Sequence, residues 1–148
     1  MWKSILIATL IAGTLDITAA CVNAYLSVKL TPDRLLKYVA SGFFGKSAFS
    51  GGVEMMAFGL FFHFTIAFAC TACFFFTYPK WSFLHQNLGI NAILIGIVAW
   101  VVTTQLIVPM SQITPPPFNF FKALIAASIL VVCIGLPIAY FAKQFYRN

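Results

Sequence analysis

Four stretches of this chain run for twenty residues or more with scarcely a charge: about Ser4 to Val28, Val53 to Tyr78, Asn87 to Met110 and Phe121 to Ala142. About 20 mostly apolar residues in a helix cross the roughly 30 Å of bilayer hydrocarbon. Lipid offers no partner for a backbone amide, so only helices or a closed barrel can span it. The runs are continuous, without the two-residue alternation of a barrel strand. The pattern predicts an all-α integral membrane protein, a bundle of four transmembrane helices in a single domain over residues 1–148.

Composition agrees. Only 8% of the residues are charged, against roughly 25% in soluble domains. A net charge of +6 would point to nucleic acid in a soluble protein. Here the nine Lys and Arg fall mainly at helix ends, where they anchor at lipid headgroups, so membrane lipid is the expected partner and nucleic acid is not. Cys21, Cys70, Cys73 and Cys133 all lie within apolar runs and form no extracellular disulfide pattern.

The N-terminus invites comparison with a signal peptide, and Thr18-Ala19-Ala20-Cys21 resembles a lipoprotein cleavage box. Asp16 interrupts the apolar region, however, and Thr18 stands where Leu is usual. An uncleaved first helix is expected.

Between the first two spans, Leu30 to Gly52 is too polar to cross. Thr31-Pro32-Asp33 reads as a helix start, with a capping hydroxyl, a proline at the first position and an acid in the first turn. Leu35, Leu36, Val39 and Phe43 then recur at helical spacing, with Arg34 and Lys37 elsewhere on the turn. This predicts a short interfacial helix within residues 31–50, ended by Gly42, Gly45, Gly51 and Gly52. A re-entrant segment lining a site is the alternative. Tyr78 and Trp81 flank Pro79-Lys80 as belt aromatics, and Pro115-Pro116-Pro117 stiffens the third connection. Pro109 and Pro137 are expected near span ends.

Orientation is balanced. Lys3, Lys80, Lys143, Arg147 and the α-amino group share one side; Lys29, Arg34, Lys37, Lys46 and Lys122 share the other. A weak preference for cytoplasmic termini rests on general expectation alone.

Small residues mark the inward faces, because they let helices approach closely in lipid. In the first span these are Thr9, Ala12, Gly13, Asp16, Ala19, Ala20 and Asn23. In the second they are Gly52, Met56, Gly59, His63, Ala67, Cys70 and Cys73, and in the third Gly89, Ala92, Gly96, Ala99 and Thr103. Phe58, Phe61, Phe62, Phe68 and Phe75 fall largely outside this pattern and are expected to meet lipid or fill gaps.

Asp16 is the most informative residue. A carboxylate at the bilayer centre costs about 3 kcal/mol on insertion scales and marks a site by default. His63 falls at similar depth on an antiparallel span, and Asn23 lies two turns from Asp16 on the same face. Thr103, Thr104 and Gln105 add polar groups. A buried polar site of Asp16, His63 and Asn23 is therefore expected, either conducting protons or cations, holding a ligand, or simply locking the helices together. Glu54, beside Gly51 and Gly52, either caps the second span or stands at a cavity mouth.

His63, Cys70, Cys73, Met55, Met56 and Glu54 share one helix, and soft ligands favour copper(I). A lone Cys70–Cys73 pair lacks the four convergent ligands of a zinc site. Haem lacks a second intramembrane histidine, because His85 lies in a loop. A redox role for the cysteine pair lacks an exposed shuttle pair. No metal is predicted, and no cofactor is named by the sequence. No nucleotide loop, HExxH or Ser–His–Asp pattern argues for an enzyme.

Gly13-Thr14-Leu15-Asp16, Ala40-Ser41-Gly42-Phe43-Phe44-Gly45, Gly51-Gly52 with Gly59 and His63-Phe64, and Pro109-Met110-Ser111 resemble a group of small bacterial inner-membrane proteins of unassigned function. The resemblance implies four helices in a bacterial inner membrane and no catalytic assignment. Three functions stay open. The first is proton-, ion- or small-molecule transport, which in so small a bundle predicts a homo-oligomer. The second is a non-catalytic subunit packing against a larger membrane complex, marked by an exposed small-residue stripe. The third is a lipid-binding protein or membrane-embedded enzyme, with Gly42 to Gly52 as headgroup site.

Overall fold

The computed structural model describes residues 1–110 and 117–147, and all regular structure among them is helical. Helix α1 is Trp2–Val28, α2 is Pro32–Phe44 and α3 is Val53–Thr77. Helix α4 runs Leu88–Met110 and α5 runs Phe120–Arg147. Helices α1, α3, α4 and α5 are long and apolar enough to cross a membrane. Ser111, Pro115 and Pro116 lie outside the described residues.

The principal neighbours run in the order α2, α3, α1, α5, α4. Helices α3 and α1 are antiparallel: the ring of Trp2 meets that of Phe76 edge-on at 5.9 Å, while Gly13 lies against Phe64. The apolar core falls into two clusters. Ile5, Ala8, Phe75, Tyr78, Leu84 and Ala142 fill one end. Ala12, Ile95, Ala99, Ile134, Ile138 and Ala139 fill the middle.

Glycines set the closest approaches. A Cβ at Gly59 would collide with the backbone carbonyl of Leu36, so α2 lies directly on α3. A Cβ at Gly96 would stand 2.6 Å from the Cα of Val131, and one at Gly135 would strike the carbonyl of Ala92. Helices α4 and α5 thus touch backbone to backbone through two glycines, one from each. Close packing of this kind replaces the hydrophobic drive that is missing between helices in lipid.

Helix α2 starts where Thr31, in extended conformation, precedes Pro32. It does not break at Gly42, which is buried inside it beside Ala40 and Ser41. The break comes at Gly45, whose φ of 61° suits a residue without Cβ. Phe43 is exposed rather than inward, and its ring stacks on Phe62 at 3.9 Å.

Pro137 does not lie near the end of a span. Helix α5 continues past Ala142 to Arg147, which leaves this proline well inside it. A proline lacks the amide hydrogen and presses its ring on the carbonyl four residues earlier. That residue, Cys133, is the centre of a π turn at Val131–Gly135, where the Leu136 amide reaches back five residues to the Val131 carbonyl. Helix α4 repeats the device. A π turn at Thr103–Ile107 ends two residues before Pro109, and the Val108 amide bonds the Thr103 carbonyl. Both helices absorb their proline by widening a turn.

Phe75 fills a gap rather than meeting lipid: among the described residues it is the largest fully enclosed side chain, sitting where α1, α3 and α5 converge. One aromatic expectation is corrected. Tyr78 is likewise buried, stacked on Tyr146 at 5.4 Å, whereas Trp81 is exposed.

Gly59→Val and Gly135→Val are each expected to destabilise the fold by about 1–3 kcal/mol through overpacking. Gly89→Ala, at an exposed position where the nearest atom is the Asn87 side chain, should be near neutral. Chemical denaturation in mixed micelles measures all three.

Candidate functional site

Thr9, Ala12, Gly13 and Asp16 are buried along one stripe of α1. The absence of a Cβ at Gly13 lets the Phe64 ring approach to 2.6 Å from where that atom would sit. This draws α3 against α1 at the level of Asp16 and allows the neighbouring His63 to reach across.

His63 Nε2 lies 2.9 Å from the Gly13 carbonyl oxygen. A carbonyl only accepts, so Nε2 carries the hydrogen and donates it. Nδ1 is then the acceptor nitrogen, and it faces Asp16 Oδ2 at 4.0 Å. Each of the two side chains is 12% exposed. The separation is too long for a hydrogen bond, yet a movement of about 1 Å would close one. The Phe64 ring stands edge-on to the imidazole at 5.4 Å.

The third expected member does not join. Asn23 lies seven residues beyond Asp16, about 10 Å along the helix, and its Oδ1 accepts from Ser27 at 3.4 Å. Thr103 and Thr104 turn their hydroxyls onto the carbonyls of Ala99 and Trp100, and Gln105 is exposed. Glu54 is exposed and folds back, its Oε1 accepting from the Gly52 amide at 2.6 Å. That bond caps the start of α3. Gly52 is exposed and Gly51 half-buried just before it.

Two further polar groups are enclosed. The Thr9 hydroxyl, on the Asp16 stripe, and the Asn91 Oδ1 in α4 are buried with no hydrogen-bond partner. Asn91 Nδ2 donates to the Leu84 carbonyl at 2.5 Å. Cys133 lies on the π turn of α5, which packs against α1. An asparagine inside an apolar span and a proline four residues after Cys133 were the available signals for these.

Cys70 is half-buried, Cys73 is exposed rather than inward, and all four cysteines are free thiols. Among the described residues no three His, Cys, Asp or Glu side chains converge. The chemistry the arrangement supports is proton exchange between a carboxyl and an imidazole. The chain matches no family model, no curated protein and no solved structure.

Asp16→Asn and His63→Gln are expected to couple in a double-mutant cycle by about 0.5–1.5 kcal/mol, the range for polar pairs between membrane helices. Additive losses of stability would show that the two side chains act separately.

Proposed function

We propose that this is a multi-pass membrane protein, of the bacterial inner membrane as the resemblance implies, whose Asp16–His63 pair takes up and releases a proton as part of a transport cycle. Helices α1, α3, α4 and α5 cross the bilayer. Helix α2 lies in the interface, a placement supported by the exposed Phe43 and Phe44 at its end and the exposed cation Arg34 at its start.

The observation that carries this reading is the facing of Asp16 and His63 Nδ1 within apolar helices, with Nε2 already committed to the Gly13 carbonyl. A neutral carboxyl and a neutral imidazole become a carboxylate and an imidazolium when one proton passes from Oδ2 to Nδ1. Uptake of a proton by the carboxylate from one side and release of the Nδ1 proton to the other then restores the neutral pair, with one proton moved. Either state keeps the net charge of the pair at zero, which avoids the cost of a lone charge in hydrocarbon.

The cavity between Ser4 and Phe141 and the one beside Tyr78 and Lys143 are not lined by Asp16 or His63. In this reading water threading between helices, or a second copy of the chain, gives access to the pair, and a homo-oligomer is part of the proposal. A scaffold role would favour an open small-residue stripe. At Gly13, Gly59, Gly96 and Gly135 the bundle fills that space from within, which favours the transport reading over the scaffold.

Proteoliposomes containing the protein should collapse an imposed pH gradient faster than empty vesicles. Asp16→Asn should remove most of the flux while the protein stays folded, and His63→Gln should lower it. Wild-type protein without flux, with Asp16→Asn affecting only the melting temperature, would reduce the pair to a structural contact.

A further inference from the structure

A cavity of about 350 Å³ opens where the end of α3 meets the end of α5, lined by Tyr78, Pro79, His85, Lys143, Tyr146 and Arg147. We infer that this cavity is a binding site for a phosphate group, held between Lys143 and Arg147. The inference is independent of the Asp16–His63 pair.

The sequence holds three acids. Asp33 and Glu54 sit at the opposite end of the bundle, and Asp16 lies mid-helix. The Asp33 carboxyl is held below its usual range by the Thr31 hydroxyl and its own amides, so its negative charge is already engaged there. No carboxylate side chain is left for the cavity. The ends of α3 and α5 do offer negative partial charge, about half an elementary charge each. Against that sum of about one stand the full charges of Lys143, Arg147 and Lys80, which directly follows Pro79. The helix ends offset part of this charge, and the two cations that line the cavity, Lys143 and Arg147, are the groups that would meet an anion.

Placement adds to charge. Lys143 and Arg147 are four residues apart on one helix, where like charges repel unless something sits between them. The wall behind them is rigid. Tyr146 donates its hydroxyl to the Phe75 carbonyl at 2.8 Å and stacks on Tyr78. His85 Nε2 is held on the Tyr78 carbonyl at 3.0 Å, with its ring 4.8 Å from that of Tyr78. A guanidinium offers a fixed fork of donors to phosphate oxygens, and an ammonium supplies a point charge beside it. The phosphate can belong to an anionic lipid headgroup, which basic clusters at helix ends attract, or to free phosphate.

Full-length protein in neutral detergent micelles would be titrated separately with inorganic phosphate, phosphatidylglycerol and phosphatidylcholine, following tryptophan fluorescence. Saturable binding of phosphatidylglycerol or inorganic phosphate is expected. It should weaken about tenfold or more in Lys143→Gln/Arg147→Gln. Lys29→Gln/Lys46→Gln removes the same charge from the other end and should weaken it less than about twofold by comparison. Response to the lipid alone assigns the site to headgroups; response to inorganic phosphate on the same residues assigns it to the free ion. No saturable binding of either probe, or equal losses in both double variants, would overturn the inference. The single variants Lys143→Gln and Arg147→Gln give the same comparison should the double variant misfold.

Discussion

The hydroxyls of Thr18, Thr65, Thr71, Thr103, Thr104 and Ser128 all turn back onto the carbonyl one helical turn earlier, at 2.7–2.9 Å. Groups that cannot reach water must be satisfied from within the chain, and most here are satisfied within their own helix. That leaves few polar atoms to work between helices. His63 is the exception that matters, since it spends one nitrogen on a carbonyl of a different helix and turns the other toward Asp16. The site exists because this one imidazole crosses a helix interface.

That crossing depends on spacing, and spacing depends on glycine. At Gly13 the missing Cβ admits the Phe64 ring, which sets how near α3 stands to α1 and hence where His63 begins its reach. On the far side of α1, Gly96 and Gly135 bring α4 and α5 into backbone contact, and the π turn of α5 packs against α1. The polar centre and the tight packing are thus parts of one arrangement. A larger residue at any of these glycines would move the helices that present the acid and its partner.

Much of the helical layout was legible in the sequence, because long apolar runs leave a chain few alternatives. The start of α2 at Pro32, the folding back of Glu54 onto Gly52 and the facing of Asp16 and His63 follow from local rules and antiparallel depth. Rotation of each helix about its axis was not legible. Asn23 and Thr103 share a spacing with buried residues yet lie near helix ends, where the bundle no longer encloses them. The sequence leaves Phe75 either lipid contact or gap-filling, and only the packing of α1, α3 and α5 selects the second. A proline inside a regular helix costs about 3 kcal/mol, which favours a span end for Pro137, and a widened turn removes that objection. Asn91 stands in an apolar run, where an amide must find a partner, and it finds the Leu84 carbonyl.

The widened turn in α5 also governs the phase of the whole helix. Ala127, Val131, Gly135 and Ala139 are half-buried or buried and recur every four residues. In an ordinary helix of about 3.6 residues per turn, each such step advances by about 40°, so three steps would carry the row about 120° off the interface. A π turn inserts one extra residue, worth about 100°, and returns the row to nearly its starting direction. The two halves of α5 are therefore in register with the same neighbours only because of Val131–Gly135. Losing a single residue there would turn Ile138, Ala139 and Ala142 away from the core as a block, while every side chain kept its chemistry.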